Sequence, residues 1–515
     1  MVSETAHNFL TEPMISVRYR DGESAQLTLP GVLHRLATAE IDAFCALRRH
    51  QRQSWFCFLV QLGAIALHRA ELTVADAGAA GEADWRDWLR ALTNRSVEPW
   101  CLVVADLSKP AFFQPPVAEL TLAGWNLEVC ADALDILITS KDHDVKSETT
   151  FYPSPEQWLF SLVSVQTTGG YEGRSINGIV RMNGGFASRA LVAHAPGQDF
   201  SPRWRRDAAQ LLTHRHEIAD AESLAGSHAL LWLPSWDGND SLALGELDPL
   251  FIECCRRIRC TVHLGTVVAS RTGTTAQRVA AKERSGCVGD PWLPIGVKER
   301  KALTISEQGF SYAKVVELLF SGDYSLGWAS KAQLGDAGLL CQVLARGQGQ
   351  TAGLQERWVL LPEKVRRSFR AIAGDPLAER AQDWVKWAAI GRTKVLRPAL
   401  LLLQQSGTDK LKADAKTADA WTQRFDAMVD SSFFEQLWTC VDLSTEAAQR
   451  HWGAWLFDAA TDLLNQAIDA TPFSGPRKYR AIAAAEGLLR GAAYKNGLLI
   501  KVDAEQNSAT SKASA

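Results

Sequence analysis

The sequence lacks the features that mark membrane, secreted and strongly basic proteins. It contains no run of about 18 apolar residues and no charged-then-apolar leader, so we expect neither a membrane span nor secretion. The ten cysteines follow no regular spacing, which favours reduced thiols and a cytoplasmic location. The net charge of −3 excludes a uniformly basic coat, so any contact with nucleic-acid phosphates must come from local patches.

Common catalytic signatures are also missing. The sequence contains no G-x-x-x-x-G-K-[ST] phosphate loop, no H-E-x-x-H helix and no G-x-S-x-G elbow. Two polar groups, 141–144 ("KDHD") and 214–217 ("HRHE"), offer imidazole and carboxylate ligands to a metal, and polar surface loops are the alternative for both. The segment 254–260 ("CCRRIRC"), taken with Cys287, lacks a C-x-x-C chelate, so buried thiols are its alternative to zinc.

What the sequence does contain is enough apolar material for a large core. Apolar residues make up 46% of the 515 residues, which predicts roughly two to four globular domains. The first part mixes two patterns: 43–70 has the apolar face of a helix, whereas 227–234 and 260–269 have the branched and aromatic residues of strands. The 18 tryptophans indicate large buried anchors.

The pattern becomes helical near Pro362. Periodic apolar positions predict helices over 363–405 with a break at 373–376, and over 414–440, 445–468 and 475–494. The short connections after the first helix favour antiparallel neighbours. The predicted fold is therefore α+β, with a large mixed N-terminal domain over 1–362, a four-helix bundle over 363–500 and a disordered tail over 501–515.

One stretch combines glycine with positive charge more densely than the rest. Residues 167–189 ("TTGGYEGRSINGIVRMNGGFASR"), here called the glycine segment, hold six glycines and three arginines. Glycine lets the backbone approach a ligand closely, and arginine matches the geometry of phosphate. Such a loop can contact the DNA backbone or the minor groove. The alternative is a set of tight turns between short strands.

Two further loops have a similar character. Residues 346–357 ("RGQGQTAGLQER") carry glutamines, whose flat, neutral and long side chains can intrude beside bases. Residues 272–292 hold one lysine, Lys282, between Arg278 and Arg284. Each loop alone fits a solvated surface, but three flexible, locally basic loops on a near-neutral chain favour a contact with nucleic acid.

Several blocks along the chain resemble a known family in the same order. They are "FLTEPMISVRYRDG" (9–22), "LRRHQRQSWFCFLVQL" (47–62), "PAFFQPP" (110–116), "ITSKDHDVK" (138–146), "RMNGGFASR" (181–189) and "GDPWLPI" (289–295). Together with the terminal bundle they resemble the large subunit of type I-E Cascade (the CasA family). The resemblance implies a subunit without enzymatic activity or cofactor that recognises the short flanking motif (PAM) in double-stranded DNA, helps to open the duplex and recruits a helicase–nuclease. The implied partners also include the other Cascade subunits and the guide RNA, but no membrane.

The resemblance also assigns roles to individual residues. The glycine loop of the family corresponds to Gly169, Gly170 and Gly173, followed by Asn183, Gly184 and Gly185. The wedge that enters the duplex corresponds to Gln350 or, failing that, Gln348, and the lysine finger corresponds to Lys282. A loop toward the guide RNA and neighbouring subunits would use Lys141, His143 and Lys146. No zinc site is carried over.

Two other functions remain open at this point. A metal-dependent nuclease would use Asp142, His143 and Asp144, or the pair His214 and His216. A purely structural scaffold would only bridge subunits. The bundle offers basic residues that could touch the DNA backbone, with a solvated face as the alternative; they are Arg366, Arg367, Arg370, Arg392, Lys394, Arg477 and Lys478.

Overall fold

The chain divides into two compact units. The computed structural model describes residues 5–134, 153–184, 187–347, 350–368, 376–405, 415–472 and 475–500. The first unit comprises Met1–Phe310 and Asp323–Leu361, and the second comprises Ser311–Gly322 and Pro362–Ala515. The segment Ser311–Gly322 therefore joins the second unit although it precedes the predicted boundary at 362. No helix in these described ranges is both long and apolar enough to cross a bilayer.

The first unit combines helices with small sheets, which confirms the predicted α+β class. Its helices are α1 (Leu29–Ala37), α2 (Arg52–Arg69), α3 (Val74–Ala79), α4 (Glu82–Ala91), α5 (Pro155–Thr168), α6 (Phe200–Thr213) and α7 (Arg215–Glu222). Its strands are β1 (Thr5–Asn8), β2 (Ile15–Tyr19), β3 (Ser24–Leu27), β4 (Ile41–Phe44), β5 (Cys101–Val104), β6 (Asn126–Glu128), β7 (Leu191–Ala195), β8 (His228–Leu230), β9 (Leu247–Ile252), β10 (Arg257–His263), β11 (Thr266–Thr272), β12 (Ile295–Gly296), β13 (Tyr324–Ser325), β14 (Gly338–Gly347) and β15 (Gln350–Leu360).

The strands form two- and three-stranded sheets. Their orders are β1–β5, β3–β2–β4, β10–β11–β6, β12–β13, β15–β14–β7 and β8–β9. The last pair is parallel and the others are antiparallel. Helices and connecting segments must therefore cover the faces of these sheets, because none of them is wide enough to form a core alone.

Helix α2 lies at the centre of the first unit because its sequence is apolar on every face. Residues 53–67 are buried throughout, as expected for a helix without a polar stripe. Its few polar side chains are bonded internally: the Gln61 amide donates to the carbonyl oxygen of Phe251 at 2.8 Å. The predicted helix over 43–70 is confirmed from Arg52 onward, whereas its first residues belong to β4 and a 3₁₀ turn.

Tryptophan side chains anchor this core, as their number predicted. Trp55, Trp158, Trp204 and Trp232 are at most 1% exposed. Trp232 stacks on Phe113 with ring centroids 4.4 Å apart. Contacts of this kind contribute roughly 0.5–1.5 kcal/mol each beyond the burial of area, so they fix helices and strands that come from distant parts of the sequence.

Two of the predicted strands differ from the structure. The segment 260–269 is not one strand but parts of β10 and β11, which Leu264 (φ 49°) and Gly265 (φ 79°) join in a tight hairpin. Two successive left-handed residues match the twist of such a hairpin. The segment 227–234 is extended only over β8, because the chain turns immediately afterwards.

The second unit is helical in the ranges that the structure describes. Its helices are α8 (Tyr312–Phe320), α9 (Glu363–Ser368), α10 (Pro376–Ile390), α11 (Arg397–Gln404), α12 (Ala415–Thr439), α13 (Thr445–Ala470) and α14 (Pro476–Lys495). A π-helical turn, Gly391–Leu396, joins α10 to α11. Trp384 of α10 stacks on Trp452 of α13 with centroids 4.7 Å apart. The predicted bundle helices are confirmed within a few residues over the described ranges. Residues 373–375 of the predicted break and the predicted tail over 501–515 lie outside the described residues.

Candidate nucleic-acid interface

The glycine segment begins in the last turn of helix α5. The helix ends at Gly169, whose N–H donates to the Val165 carbonyl oxygen at 3.1 Å. A Cβ atom at Gly169 would lie 2.4 Å from that oxygen, so a larger residue would displace the chain where it leaves the helix. Gly170 is buried, and its carbonyl oxygen accepts a hydrogen bond from the Arg256 guanidinium. These two glycines therefore shape the exit from the helix.

The chain then closes into a turn that returns to Gly169. The Ile179 N–H donates to the Gly169 carbonyl oxygen at 3.0 Å. Gly178 packs against Gly170, where a Cβ atom at position 178 would come within 2.7 Å of the Gly170 carbonyl carbon. Arg174 is exposed at the tip. The segment is thus a tight turn, as the alternative interpretation predicted, although it follows a helix rather than a strand, and it presents one guanidinium to the surroundings.

The tip of this turn rests on the chain that follows β11. The Thr274 N–H donates to the Ser175 carbonyl oxygen at 2.7 Å, and the Asn177 amide donates to the Thr274 hydroxyl at 3.0 Å. Gly173 has no atom within 4 Å of the position that a Cβ would take, so its side-chain space is open. The glycine segment and the predicted loop over 272–292 are therefore in direct contact.

A second turn of the glycine segment, described over 181–184, lies beside the turn that carries Lys282. Asn183 is half-buried and Gly184 is exposed with a φ of 53°, whereas Gly185 lies outside the described residues. The two turns meet at Gly286 (φ 89°), where a Cβ atom would lie 2.8 Å from the Met182 carbonyl carbon. Both the positive φ and this close approach require glycine.

Lys282 begins the short 3₁₀ turn Lys282–Arg284, which Ser285 ends in a left-handed conformation. The lysine is exposed, and it forms no ion pair with any residue that the structure describes. Arg284 is partly exposed and lies 3.9 Å from Glu222. The sequence-predicted residues Asn183, Gly184 and Lys282 therefore occupy adjacent turns, with one cation available for contact.

The β14–β15 hairpin carries the predicted wedge glutamines. Gln350 is the first residue of β15 and its backbone pairs with Gly347. Gln348 lies outside the described residues. The hairpin therefore presents this part of the chain at its tip, where the sequence predicted a loop.

The register of strands β14 and β7 shows where the hairpin tip lies along the chain relative to the glycine segment. Strand β14 pairs with β7, which follows the glycine segment directly, and the pairing ends with Gln342 opposite Leu191. Two residues further on, Leu344 lines a small cavity together with Thr168 and Ser188. The tip begins three residues beyond Leu344, about 10 Å further along the strand. The hairpin therefore extends past the exit of α5.

Most of the arginines predicted to meet phosphate are instead buried. Arg181 lies 3.7 Å from the centroid of the Phe251 ring, and burial lowers its pKa to about 10. Arg189 forms a buried ion pair with Asp290, with Nε and Oδ2 2.6 Å apart. Arg278 donates to the Pro234 carbonyl oxygen at 2.8 Å. The prediction of a phosphate contact is therefore wrong for these three, because each is enclosed by protein atoms.

The buried charges fix the base of the two turns. The Glu253 carboxylate accepts the Val180 N–H at 2.6 Å, and burial raises the pKa of this carboxyl. Arg189 also donates to the Thr167 carbonyl oxygen at 3.3 Å. Because these bonds hold both ends of the glycine segment, the exposed tips project from a rigid base.

The other predicted site residues have separate outcomes. Lys141, His143 and Lys146 lie outside the described residues, so their role stays a prediction. His214 bonds Glu217 at 2.9 Å on the surface, one helical turn apart. Within the described ranges, no group of three or more His, Cys, Asp or Glu side chains could hold a metal ion.

The mid-chain cysteines are buried thiols rather than a chelate. Cys254 donates to the Phe113 carbonyl oxygen at 3.4 Å, and Cys255 donates to that of Val165 at 3.3 Å. Burial raises the pKa of Cys255 to about 11 and that of Cys260 to about 12. These thiols therefore stay protonated at neutral pH, which is unfavourable for metal binding.

Solved structures of one kind match this fold along nearly the whole chain. CRISPR-associated protein Cse1 from Acidimicrobium ferrooxidans gives a TM-score of 0.66 at 16% identity, with 95% of this chain and 98% of that chain covered. Thermobifida fusca Cse1 gives 0.66 at 15% identity, with 96% and 99% covered. Thermus thermophilus CasA (Cse1) gives 0.62 at 14% identity, with 95% and 100% covered.

Comparison of the sequence alone finds no matching family model and no matching curated protein. The likeness is therefore one of structure. The chain has the fold of the Cse1/CasA proteins, which confirms at the level of fold the resemblance that the sequence blocks suggested.

Proposed function

We propose that this chain is the non-catalytic large subunit of a type I-E Cascade, an RNA-guided CRISPR surveillance complex. The observation that carries the proposal is the likeness to Cse1 structures, which for the Acidimicrobium ferrooxidans protein covers 95% of this chain and 98% of that chain. The blocks that resemble the family, in the same order along the sequence, support it independently. In this role the chain recognises the PAM in double-stranded DNA, helps to open the duplex and recruits the helicase–nuclease.

The two glycine turns would approach the minor groove of the duplex. Gly173 and Gly184 have open space where a side chain would lie, so the backbone at these two positions can come close to base edges that a larger residue would keep away. The minor groove mainly distinguishes A·T from G·C pairs, so recognition there is permissive. Arg174 and Lys282 are the exposed cations on these turns, and they would contact the flanking phosphates.

The hairpin tip would act as the wedge. Insertion of Gln350, or of Gln348, between base pairs must offset a few kcal/mol of unstacking per step. A rigid two-stranded support lowers that cost, because the strands do not have to be ordered on binding. Sequence reading is then left to pairing between guide RNA and target strand.

The segment around Lys141, His143 and Lys146 would contact the guide RNA and neighbouring subunits. Its amino-terminal support is a 3₁₀ turn, Ala131–Leu134, in which the buried Asp132 pairs with Arg48 at 2.6 Å. The other Cascade subunits would supply most of the positive charge along the nucleic acid, which is consistent with the net charge of −3 on this chain.

The decisive experiment compares two targets for one assembled complex. The doubly altered chain, Lys282→Ala with Gln350→Ala, is reconstituted with the small subunits and the guide RNA. We expect its affinity for a PAM-containing duplex to fall by about tenfold or more, because a cation and the wedge are both lost. Its affinity for the single-stranded target should stay within about twofold, since no duplex has to be opened.

A matched control removes the same side chains elsewhere. Lys298 and Gln308 are both exposed and lie outside the two turns and the hairpin, so Lys298→Ala with Gln308→Ala should leave duplex binding unchanged. Equal losses on duplex and single-stranded targets would contradict the assigned roles. Undiminished PAM-dependent binding would favour a scaffold, and DNA cleavage by the isolated chain with Mg²⁺ or Mn²⁺ would favour a nuclease.

A further inference from the structure

A cavity of about 280 Å³ in the first unit is lined by an excess of arginine. Its walls include four arginines and one carboxylate, that of Glu356; the arginines are Arg49, Arg52, Arg203 and Arg357. None of the lining residues belongs to the glycine segment, to the Lys282 turn or to the hairpin tip. The cavity is therefore a separate feature, and its charge excess requires an explanation.

Arg203 is the unusual member of this group. It is 5% exposed, yet its Nη2 atom has no hydrogen-bond partner within the described residues, and its guanidinium lies over the Phe56 ring at 4.0 Å. Burying a charged group without a partner is costly, and an opposite charge placed beside it relieves that cost. The Asp207 carboxylate acts electrostatically on Arg203 but is bonded to Arg206 at 2.9 Å, so Arg203 still adds positive charge that favours an anion in the cavity.

The other walls strengthen this preference. Glu356 is held by Arg49 at 2.6 Å and by the Gln342 amide at 2.7 Å, so both of its oxygens are occupied. Arg52 is exposed and forms no ion pair with a described residue. Arg357 donates to the Phe310 carbonyl oxygen at 2.9 Å and adds a further guanidinium to the cavity wall.

The amino-terminal end of helix α6 adds a further positive element. Phe200, the first residue of this 14-residue helix, lines the cavity. The preceding Asp199 makes no capping hydrogen bond with its side chain and lies 3.5 Å from Arg20 instead. The first N–H groups of the helix are thus left without a side-chain cap, and they carry a partial positive charge.

We propose that this cavity binds a phosphate group of a nucleotide or an oligonucleotide. Arg49 and Arg52 at the exposed side would hold the phosphate oxygens, with Arg203 facing them from the buried side, because the guanidinium fork matches phosphate geometry. Phe200 and Trp358 also line the cavity and offer apolar ring surface to an attached base or sugar. The inference does not depend on the function proposed above.

The test is a calorimetric titration of the full-length chain at low salt. The probes are pyrophosphate, a 5′-phosphorylated tetranucleotide, the same tetranucleotide without that phosphate, and citrate. We expect saturable binding of phosphate probes that weakens about tenfold or more in Arg203→Met and in Arg49→Gln with Arg52→Gln. Glu356→Gln should strengthen binding severalfold, because it removes the carboxylate from the cavity wall.

Each pattern among the probes has a defined meaning. If pyrophosphate binds as tightly as the phosphorylated tetranucleotide, the natural ligand is a free phosphate compound. If the phosphorylated tetranucleotide binds most tightly, the ligand is a terminal phosphate of an oligonucleotide. If both tetranucleotides bind equally, the cavity recognises the phosphates of the nucleic-acid backbone. The control Arg95→Gln with Arg205→Gln removes two exposed arginines that do not line the cavity and should bind like the unaltered chain. Absence of saturable binding, equally tight binding of citrate, or unaltered affinity in the cavity variants would overturn the proposal.

Discussion

The glycine segment and the arginine cavity use the same residue type in opposite ways. Beneath the glycine segment, Arg189 is buried with a carboxylate partner, Asp290, at 2.6 Å. In the cavity wall, Arg203 is buried to a similar extent but forms no close ion pair with a described residue, and the carboxylate that acts on it, Asp207, is bonded to Arg206 instead. The first arrangement holds structure together, and the second leaves a charge that a ligand can neutralise.

This difference shows which arginines are available for binding. A buried ion pair is already compensated, so a phosphate would have to break it before it could bind. An arginine without a compensating charge gains from an incoming anion. The glycine segment therefore offers DNA its exposed backbone and Arg174, whereas its buried arginines serve the fold.

The largest effect is expected where a buried pair is broken. Arg189→Met leaves the Asp290 carboxylate buried without its cation, which should lower the free energy of unfolding by about 3–5 kcal/mol. Urea unfolding followed by tryptophan fluorescence measures this change. Glu40→Ala breaks the half-exposed pair with Arg35 and should cost less than about 1 kcal/mol. Similar losses in both variants would contradict the structural role of Arg189.

An intermediate effect is expected from crowding within the glycine segment. In Gly178→Ala the new Cβ would lie 2.5 Å from the Met182 Cε atom and 2.7 Å from the Gly170 carbonyl carbon. Such overpacking should lower the free energy of unfolding by about 1–3 kcal/mol. Gly173→Ala is the matched control, because its Cβ meets open space and should change stability by less than about 0.5 kcal/mol.

A larger side chain at Gly173 separates folding from DNA contact. Gly173→Leu should leave stability close to that of the unaltered chain, because the position is open, but should weaken binding of the PAM duplex by the assembled complex. A destabilised Gly173→Leu chain would show that the tip is packed rather than free. Undiminished duplex binding would show that the tip does not approach the DNA.

Regular periodicity explains which parts of the fold could be predicted. Helices α12, α13 and α14 each repeat apolar residues over 20 positions or more, and the sequence located them within a few residues. Helix α8 was missed as a member of the second unit because its attachment is long-range: the Tyr312 N–H donates to Asp430, 118 residues away, at 2.6 Å. The pattern of apolar residues within a short stretch of sequence cannot reveal a contact over that distance in the chain.

The candidate sites were predictable only in part for the same reason. Glycine content located the two turns, since glycine marks backbone geometry directly. The burial of Arg189 depends on Asp290, 101 residues further along the chain. The cavity likewise gathers Arg49, Arg203 and Arg357 from distant elements. A charged residue in the sequence therefore indicates a binding function only after the residues that pair with it in the fold are known.

Only a small change in stability is expected at Arg203, where the contrast with Arg189 is sharpest. Arg203→Met removes a buried guanidinium and strands no carboxylate, because Asp207 keeps its bonds to Arg206 at 2.9 Å and to the Trp292 indole at 2.8 Å. The lost contact with the Phe56 ring is offset by relief of the desolvation of this buried guanidinium, so the free energy of unfolding should change by less than about 1 kcal/mol.

Added pyrophosphate should then stabilise the unaltered chain more than the Arg203→Met variant. At a hundredfold excess over its dissociation constant, a ligand that binds only the folded state stabilises it by about 2.7 kcal/mol. The unaltered chain should gain this stability and Arg203→Met should gain little, as measured by urea unfolding with and without the probe. A loss of several kcal/mol in Arg203→Met without probe would instead place Arg203 in the same class as Arg189, because its charge would then have to be compensated within the fold.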